Sequence, residues 1–377
     1  MTEQLNELRP FLRENWEKAA YEKLTPVQEK MIPAALQQQN IICEAPTGSG
    51  KTLAYLLPAL HHMDEQEKQP QTVIVVSSRE LAMQVHEEAQ TWTSGSTFTC
   101  APLIGGANVK RQLEKLKKKP AVITGTPGRL LELIEQKKLK MHAVKTLVFD
   151  EADQLFSKEH REAAGRIAGA VQRDCRKFIV SATLPKRTVA EAKEWTGEAE
   201  VIRITRTAEA DGDVEHLVLK GALRDKMKHL QKLSSMGDVY AIVFCNDRYQ
   251  LEQAAGKLEF KGRKPAVLHG ETSKQEREKA LRGFRDGESR LLMTTDVASR
   301  GMDIEQVTHV IQLDLPNDVN QYVHRSGRTG RAGRSGTMVS LLTESETARM
   351  KEIAAILKVR LYEAEIEYGV LKKKRSV

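Results

Sequence analysis

The chain has 377 residues, of which 40% are hydrophobic, 29% charged and only 5% aromatic. That balance excludes a disordered chain and predicts aliphatic cores in two or three domains of roughly 100–200 residues each. The net charge of +8 permits a polyanionic partner without identifying one.

Cys43, Cys100, Cys175 and Cys245 are too far apart for a Cys-x-x-Cys pair or a zinc cluster. Three of them lie in or beside apolar runs, which predicts buried free thiols in a reducing compartment. The N-terminal "MTEQLNELRPFLRENW" lacks the basic start and apolar run of a signal peptide, and no stretch approaches ~18 consecutive apolar residues. A cytoplasmic protein with no membrane contact is expected.

Short β-branched runs recur in the first half. They are "NIICEA" (40–45), "TVIVVSS" (72–78), "AVITGT" (121–126), "TLVFDEAD" (146–153) and "KFIVSAT" (177–183). Helical patterns such as "ELAMQVHEEAQTW", "GRLLELIEQKKL" and "EHREAAGRIAGAVQR" fall between or after them. A polar stretch, "RITRTAEADGDVEH", then interrupts the alternation. It restarts with "VYAIVFCN" (239–246), "PAVLHG" (265–270), "RLLMTTD" (290–296), "THVIQLDLP" (308–316) and "GTMVSLL" (336–342). The expected fold is α/β: two tandem domains, 1–208 and 217–377, joined by a linker at 209–216. Each should be a mainly parallel sheet with helices on both faces. About forty residues follow the last motif, read as a terminal helix and a frayed, solvated basic tail, "LKKKRSV".

"APTGSGKT" (45–52) stands between a strand and a helical segment. It fits a phosphate-binding loop, G-x-x-x-x-G-K-[ST], with Ala45 in place of the first glycine. Gly48 and Gly50 let backbone N–H groups turn towards phosphates at a helix N-terminus. Lys51 adds a charge for the β- and γ-phosphates, and Thr52 a hydroxyl for Mg²⁺. Pro46, Thr47 and Ser49 complete the loop. About 100 residues on, "TLVFDEAD" ends a strand in carboxylates, where α/β sheets place ligand groups. Asp150 suits Mg²⁺ held through water. Glu151 suits a general base that orients the water attacking the γ-phosphate.

Asp150-Glu151-Ala152-Asp153 spells D-E-A-D, and the chain resembles the DEAD-box ATP-dependent RNA helicases of superfamily 2, a minimal core of two RecA-like domains. The resemblance covers essentially the whole sequence and implies an RNA-dependent ATPase that uses ATP and Mg²⁺. "YEKLTPVQ" (21–28) resembles the family's Q motif, which assigns Gln28 to the adenine edge and Tyr21 to stacking on the ring. Phe11 matches an isolated upstream Phe and reads as a brace; Leu24 replaces the usual Pro. Ser181, Ala182 and Thr183 match the segment that couples hydrolysis to RNA through the D-E-A-D acids, Asp153 among them. From the residues alone, a strand-end cap reads equally well.

RNA contacts should be scattered and aimed at the phosphodiester backbone. The resemblance assigns Ser78, Arg79, Gly105, Gly106, Thr126, Pro127, Gly128 and Arg129 in the first half. In the second it assigns Arg277, Thr295, Arg300 and Gly301, with Lys274 at a position the family fills with Gln. Ser77-Ser78 stands where the family has Pro-Thr. Asp303 matches the residue that accepts from the ATP ribose. In "HRSGRTGRAGR" (324–334), Arg328 and Arg331 match arginine fingers worth ~10³–10⁵ in rate. His324 and Arg325 match positions that couple to the D-E-A-D acids, and Arg334 reads as solvated or RNA-facing.

The implied activity is local unwinding of short RNA duplexes, or remodelling of RNA–protein complexes, by ATP- and RNA-driven closure of two domains. An ATP-gated clamp with little unwinding is the alternative, and a DNA helicase a third. A monomer acting on single-stranded or short duplex RNA, with ribosomal or other RNP assembly partners, is the expected setting.

Overall fold

The computed structural model describes residues 3–21, 23–46, 48–106, 108–204, 214–299, 304, 307–330 and 335–376. The chain divides into two compact units, Met1–Thr205 and Arg206–Val377.

The first unit carries seven strands among its described residues. They are β1 (Ile41–Glu44), β2 (Thr72–Val75), β3 (Cys100–Leu103), β4 (Val122–Gly125), β5 (Thr146–Asp150), β6 (Arg176–Ser181) and β7 (Glu200–Arg203). All pair in parallel, in the order β3-β4-β2-β5-β6-β1-β7. Alternate residues of each strand feed opposite faces. Ile41, Cys43, Ile74 and Val148 join a core with Trp16, Met31, Leu56 and Trp92. Ile42, Val73, Val75, Leu147 and Phe149 join another with Leu130, Leu133 and Ile167. This is why these strands read as continuous apolar runs.

Two strands escaped the sequence reading, and both are edges. β3 is the short Cys-Ala-Pro-Leu, whose Pro102 is tolerated because an edge strand can spare a ladder donor. β7 shows a mostly exposed burial pattern rather than an apolar run.

The second unit holds β8 (Val214–Lys220), β9 (Ala241–Cys245), β10 (Ala266–Leu268), β11 (Leu291–Thr295), β12 (His309–Gln312), β13 (Gly336–Leu342), β14 (Leu361–Glu367) and β15 (Val370–Ser376). Their order is β10-β11-β9-β12-β13-β8-β14-β15, parallel up to the last pair. Residues 214–216, assigned to the linker by composition, belong to β8 and pair with β13.

The C-terminus also departs from expectation. The terminal helix is present (Glu344–Leu357), but a hairpin of β14 and β15 follows it instead of a frayed tail. Glu367 pairs with Val370 across Tyr368-Gly369. Both turn residues have positive φ, 50° and 77°, as a type I′ turn requires. Lys372, Lys373 and Lys374 form ion pairs with Glu367, Glu215 and Glu365.

All four cysteines are free, as expected, and three are buried. Burial pushes the Cys43 and Cys175 thiols up to about 12, so neither is a reactive thiolate near neutrality.

Candidate nucleotide and RNA site

The strand order sorts the motifs. The phosphate loop follows β1, the D-E-A-D acids end β5, and Ser181 ends β6; these three strands are neighbours at the middle of the sheet. The segments assigned to RNA follow β2, β3 and β4, the other half of the same carboxyl edge.

Gly50 caps the helix Lys51–His61 with φ +86°, a left-handed backbone that favours glycine. A Cβ there would also lie 2.6 Å from Gln28 Nε2. Gly48 is left-handed too (φ +76°). Ser49 Oγ donates to Pro46 O at 2.7 Å, and Lys51 Nζ donates to Ala45 O and Pro46 O at 2.8 and 2.6 Å. Desolvation pushes the Lys51 ammonium below its ordinary value, opposed by Asp150.

Gln28 is buried at the third position of the helix Pro26–Leu36. Its Nε2 donates to Gly50 O at 3.2 Å, and its Oε1 accepts from Thr25 N–H at 2.9 Å. The glutamine is therefore a helix cap and a strut to the phosphate loop, with one N–H and one lone pair left for a base edge. Tyr21 is half exposed and lies 5.2 Å from the Trp16 ring, while Phe11 is buried edge-on to Phe98. Phe11 thus braces the fold and Tyr21 keeps a free face.

Three carboxylates stand at or just past the end of β5, and each accepts from a hydroxyl on a different element. Tyr55 Oη, on the phosphate-loop helix, donates to Asp150 Oδ2 at 2.9 Å. Ser77 Oγ, just past β2, donates to Glu151 Oε2 at 2.7 Å. Ser181 Oγ, at the end of β6, donates to Asp153 Oδ1 at 2.6 Å and accepts from the N–H of Thr183 at 3.3 Å. Thr52 is half-buried one residue past Lys51. Burial pushes the Asp150 carboxyl up; Lys51, Tyr55 and the Glu151 N–H pull it back, and the Glu151 charge pushes it further. Glu151 itself is left-handed (φ 51°, ψ 48°), a conformation non-glycine residues adopt mainly where the surroundings enforce it.

Tyr55 and Ser77 went unassigned in the sequence. "LAYLLPAL" reads as a core helix, and nothing in "SSRELA" shows that β2 lies beside β5.

On the RNA half, Ser78 Oγ caps the helix Arg79–Trp92 by accepting from Leu81 N–H at 3.2 Å. The Arg79 guanidinium lies against Gly106 (φ +72°), where a Cβ would collide with it. Gly105 N–H faces Thr126 Oγ1 at 3.4 Å. Pro127 and the exposed Gly128 open the helix Pro127–Glu135. Arg129 is buried rather than solvated: its Nε lies 2.9 Å from Glu132, and its Nη1 has no hydrogen-bond partner among the described residues. Three loops predicted to meet RNA are thus brought together.

In the second unit, Arg325, expected to couple to the D-E-A-D acids, is engaged by partners of its own unit. It is fully buried. Its Nε and Nη2 donate to both oxygens of Asp296 at 2.8 and 2.6 Å. The remaining donors reach Asp314 O, Gln312 Oε1 and Asn246 Oδ1, and the guanidinium lies 5.0 Å from the Phe244 ring centre. A guanidinium so committed is an internal strut. His324 and Arg328, on either side, are half-buried. Thr295 ends β11, and Arg277 Nη2 donates to Ala298 O at 3.0 Å. Lys274 opens the helix Lys274–Arg285, but its side chain lies outside the described residues, as do Thr47, Arg300, Gly301, Asp303, Arg331 and Arg334.

Comparison with known proteins agrees with this geometry. The DEAD/DEAH box helicase family matches residues 25–192, and the helicase conserved C-terminal domain matches residues 225–333. The DEAD-box ATP-dependent RNA helicase CshC of Bacillus cereus is 47% identical over 97% of this chain and 94% of its own. The probable ATP-dependent RNA helicase YfmL of Bacillus subtilis is 47% identical over 98% of both. Among solved structures, S. cerevisiae Dbp5 bound to RNA and ADP BeF3 superposes with a TM-score of 0.86 at 28% identity, over 94% of this chain and 93% of that one. Mss116p bound to ssRNA and AMP-PNP gives 0.84 at 26% identity, over 96% of this chain and 78% of that one. Each half of the chain is therefore RecA-like, and the chain belongs to the DEAD-box family of ATP-dependent RNA helicases.

Proposed function

We propose that this chain hydrolyses ATP in response to RNA, and that it uses the cycle to open short RNA duplexes or remodel RNA–protein complexes. The carrying observation is the convergence of Lys51, Asp150 and Glu151 at neighbouring strand ends, with Ser181 beside them on Asp153. Glu151 takes a proton from water as the water oxygen bonds to the γ-phosphorus and the bond to the ADP oxygen breaks.

No cluster of three His, Cys, Asp or Glu side chains could hold a metal among the described residues. One carboxylate, one hydroxyl and substrate phosphates are what Mg²⁺ commonly uses, so the donors fit it. Asp150 and Thr52 would hold the ion, which would neutralise phosphate charge when bound. Tyr21 and Gln28 would select adenine.

The acids stand in the first unit and Arg328, with Arg331, in the second. Turnover therefore needs both, and RNA spanning Arg79, Gly105–Gly106 and Thr126–Arg129 together with the second-unit positions would promote their closure. By linkage ATP then tightens RNA binding. The relatives are named RNA helicases, and Dbp5 and Mss116p were solved with RNA. A cytoplasmic monomer working on ribosomal or other RNP assemblies is consistent with this chemistry.

The test is Glu151→Gln, assayed with and without single-stranded RNA. ATP binding should persist while RNA-stimulated hydrolysis disappears; retained turnover would remove Glu151 from the role of base.

A further inference from the structure

The Ser77 hydroxyl has no assigned task, yet it touches the residue read as the base. β2 and β5 run side by side in parallel with Val75 opposite Phe149. Ser77 and Glu151 each stand two residues beyond that pair, so the register itself brings them together. Ser77 is 7% exposed, and its Oγ donates to Glu151 Oε2 at 2.7 Å. Its backbone is clamped from both sides: Val76 N–H donates to Gly125 O at 3.0 Å, and Ser78 caps the next helix.

Glu151 needs such a clamp. Its backbone is fixed in the left-handed region, and its N–H is committed to Asp150 Oδ1 at 2.8 Å. Its side chain still has three torsions. A base must hold one oxygen within hydrogen-bond reach of the proton it removes. A neutral donor on Oε2 fixes the plane of the carboxylate and leaves Oε1 for the water. A cation in that place would cancel the negative charge the base needs.

We propose that Ser77 is a positioning residue for ATP hydrolysis, orienting Glu151 through its hydroxyl. The proposal rests on the reading of Glu151 as the base. Its test is separate, because Glu151→Gln can abolish turnover whether or not Ser77 contributes.

The experiment is steady-state ATPase kinetics of the full chain at saturating single-stranded RNA, with ATP and RNA affinities measured separately. Ser77→Ala should lower kcat about ten-fold or more, the size of one hydrogen bond to a charged group, with KM for ATP and RNA affinity unchanged. Ser77→Thr, which keeps the hydroxyl, should recover most of the rate, and Ser77→Cys, a weaker donor, should fall between. On a Glu151→Gln background, Ser77→Ala should change the residual rate no further, since the two act as a unit. Wild-type kcat in Ser77→Ala would overturn the proposal. So would equal losses in kcat and RNA affinity, which would make Ser77 an RNA ligand. If Ser77→Ala proves unfolded by thermal melting, the Thr and Cys variants decide: equal rates in both overturn the proposal, and a graded loss supports it.

Discussion

Tyr55→Phe removes one oxygen from the centre of the site and leaves its ring packed. Tyr55 is fully buried, and its hydroxyl donates to an Asp150 carboxylate that is itself 5% exposed. Hydrogen bonds to charged groups contribute about 1.5–3 kcal/mol, and neutral ones about 0.5–1.5. Burial already holds the Asp150 carboxyl above its ordinary range, and Tyr55 is one of the groups restraining that shift. Without the phenol the carboxyl should rise further. A carboxyl whose folded value is raised costs stability above that value, where it must ionise, and not below the unfolded value, where it is protonated in both states. The destabilisation should therefore be about 1.5–3 kcal/mol at neutral pH, shrinking to about 0.5–1.5 as pH falls through the carboxylate range. The Mg²⁺ concentration needed for half-maximal ATPase should rise, most at the acid end. Urea denaturation of the full chain at several pH values, paired with Mg²⁺ titrations, measures both. A loss independent of pH, with an unchanged Mg²⁺ requirement, would show that the phenol merely fills space.

Two further outcomes follow from local geometry. Gly50→Ala meets both a left-handed backbone (φ +86°) and the Gln28 amide, so it should cost about 1–2 kcal/mol and abolish tight ATP binding in a fluorescent-nucleotide titration. Arg325→Ala leaves Asp296 without its bidentate partner and should destabilise the fold by about 3–5 kcal/mol in a denaturant melt. A stable variant with only a slow kcat would instead support the coupling role for Arg325.

What the sequence disclosed depends on how local the physics is. The phosphate loop was legible because Gly50-Lys51-Thr52 at a strand-to-helix turn has few other uses. The central strands were legible because burial on both faces leaves an unbroken apolar run, as in Thr72–Val75. β15 was not, because Lys372, Lys373 and Lys374 look like a solvated tail. They are tolerated in a strand because β15 is an edge with acidic partners on β14 and β8, and charge at an edge discourages pairing with other chains. Tyr55 and Ser77 were hidden for another reason: their partners lie 95 and 74 residues away, and only the strand order brings them near. The arginine run spaced every third residue does not itself show which of Arg325 and Arg328 is buried. Helix geometry separates them, since Arg325 sits in the last turn of Val319–Ser326 facing the core and Arg328 lies past its end.

That separation points to a difference between Asp296 and the acids at the end of β5. Asp296 is met by a guanidinium that cancels its charge and absorbs both its oxygens, which suits a strut and leaves nothing to react. Asp150, Glu151 and Asp153 are met by hydroxyls from Tyr55, Ser77 and Ser181. A hydroxyl orients a carboxylate while leaving its charge and an oxygen available, at the expense of holding like charges close together. A site that later receives cations gains from that arrangement. At the end of β5 the acids are oriented by hydroxyls with their charge retained, whereas Asp296 is neutralised by Arg325 within the core of the second unit.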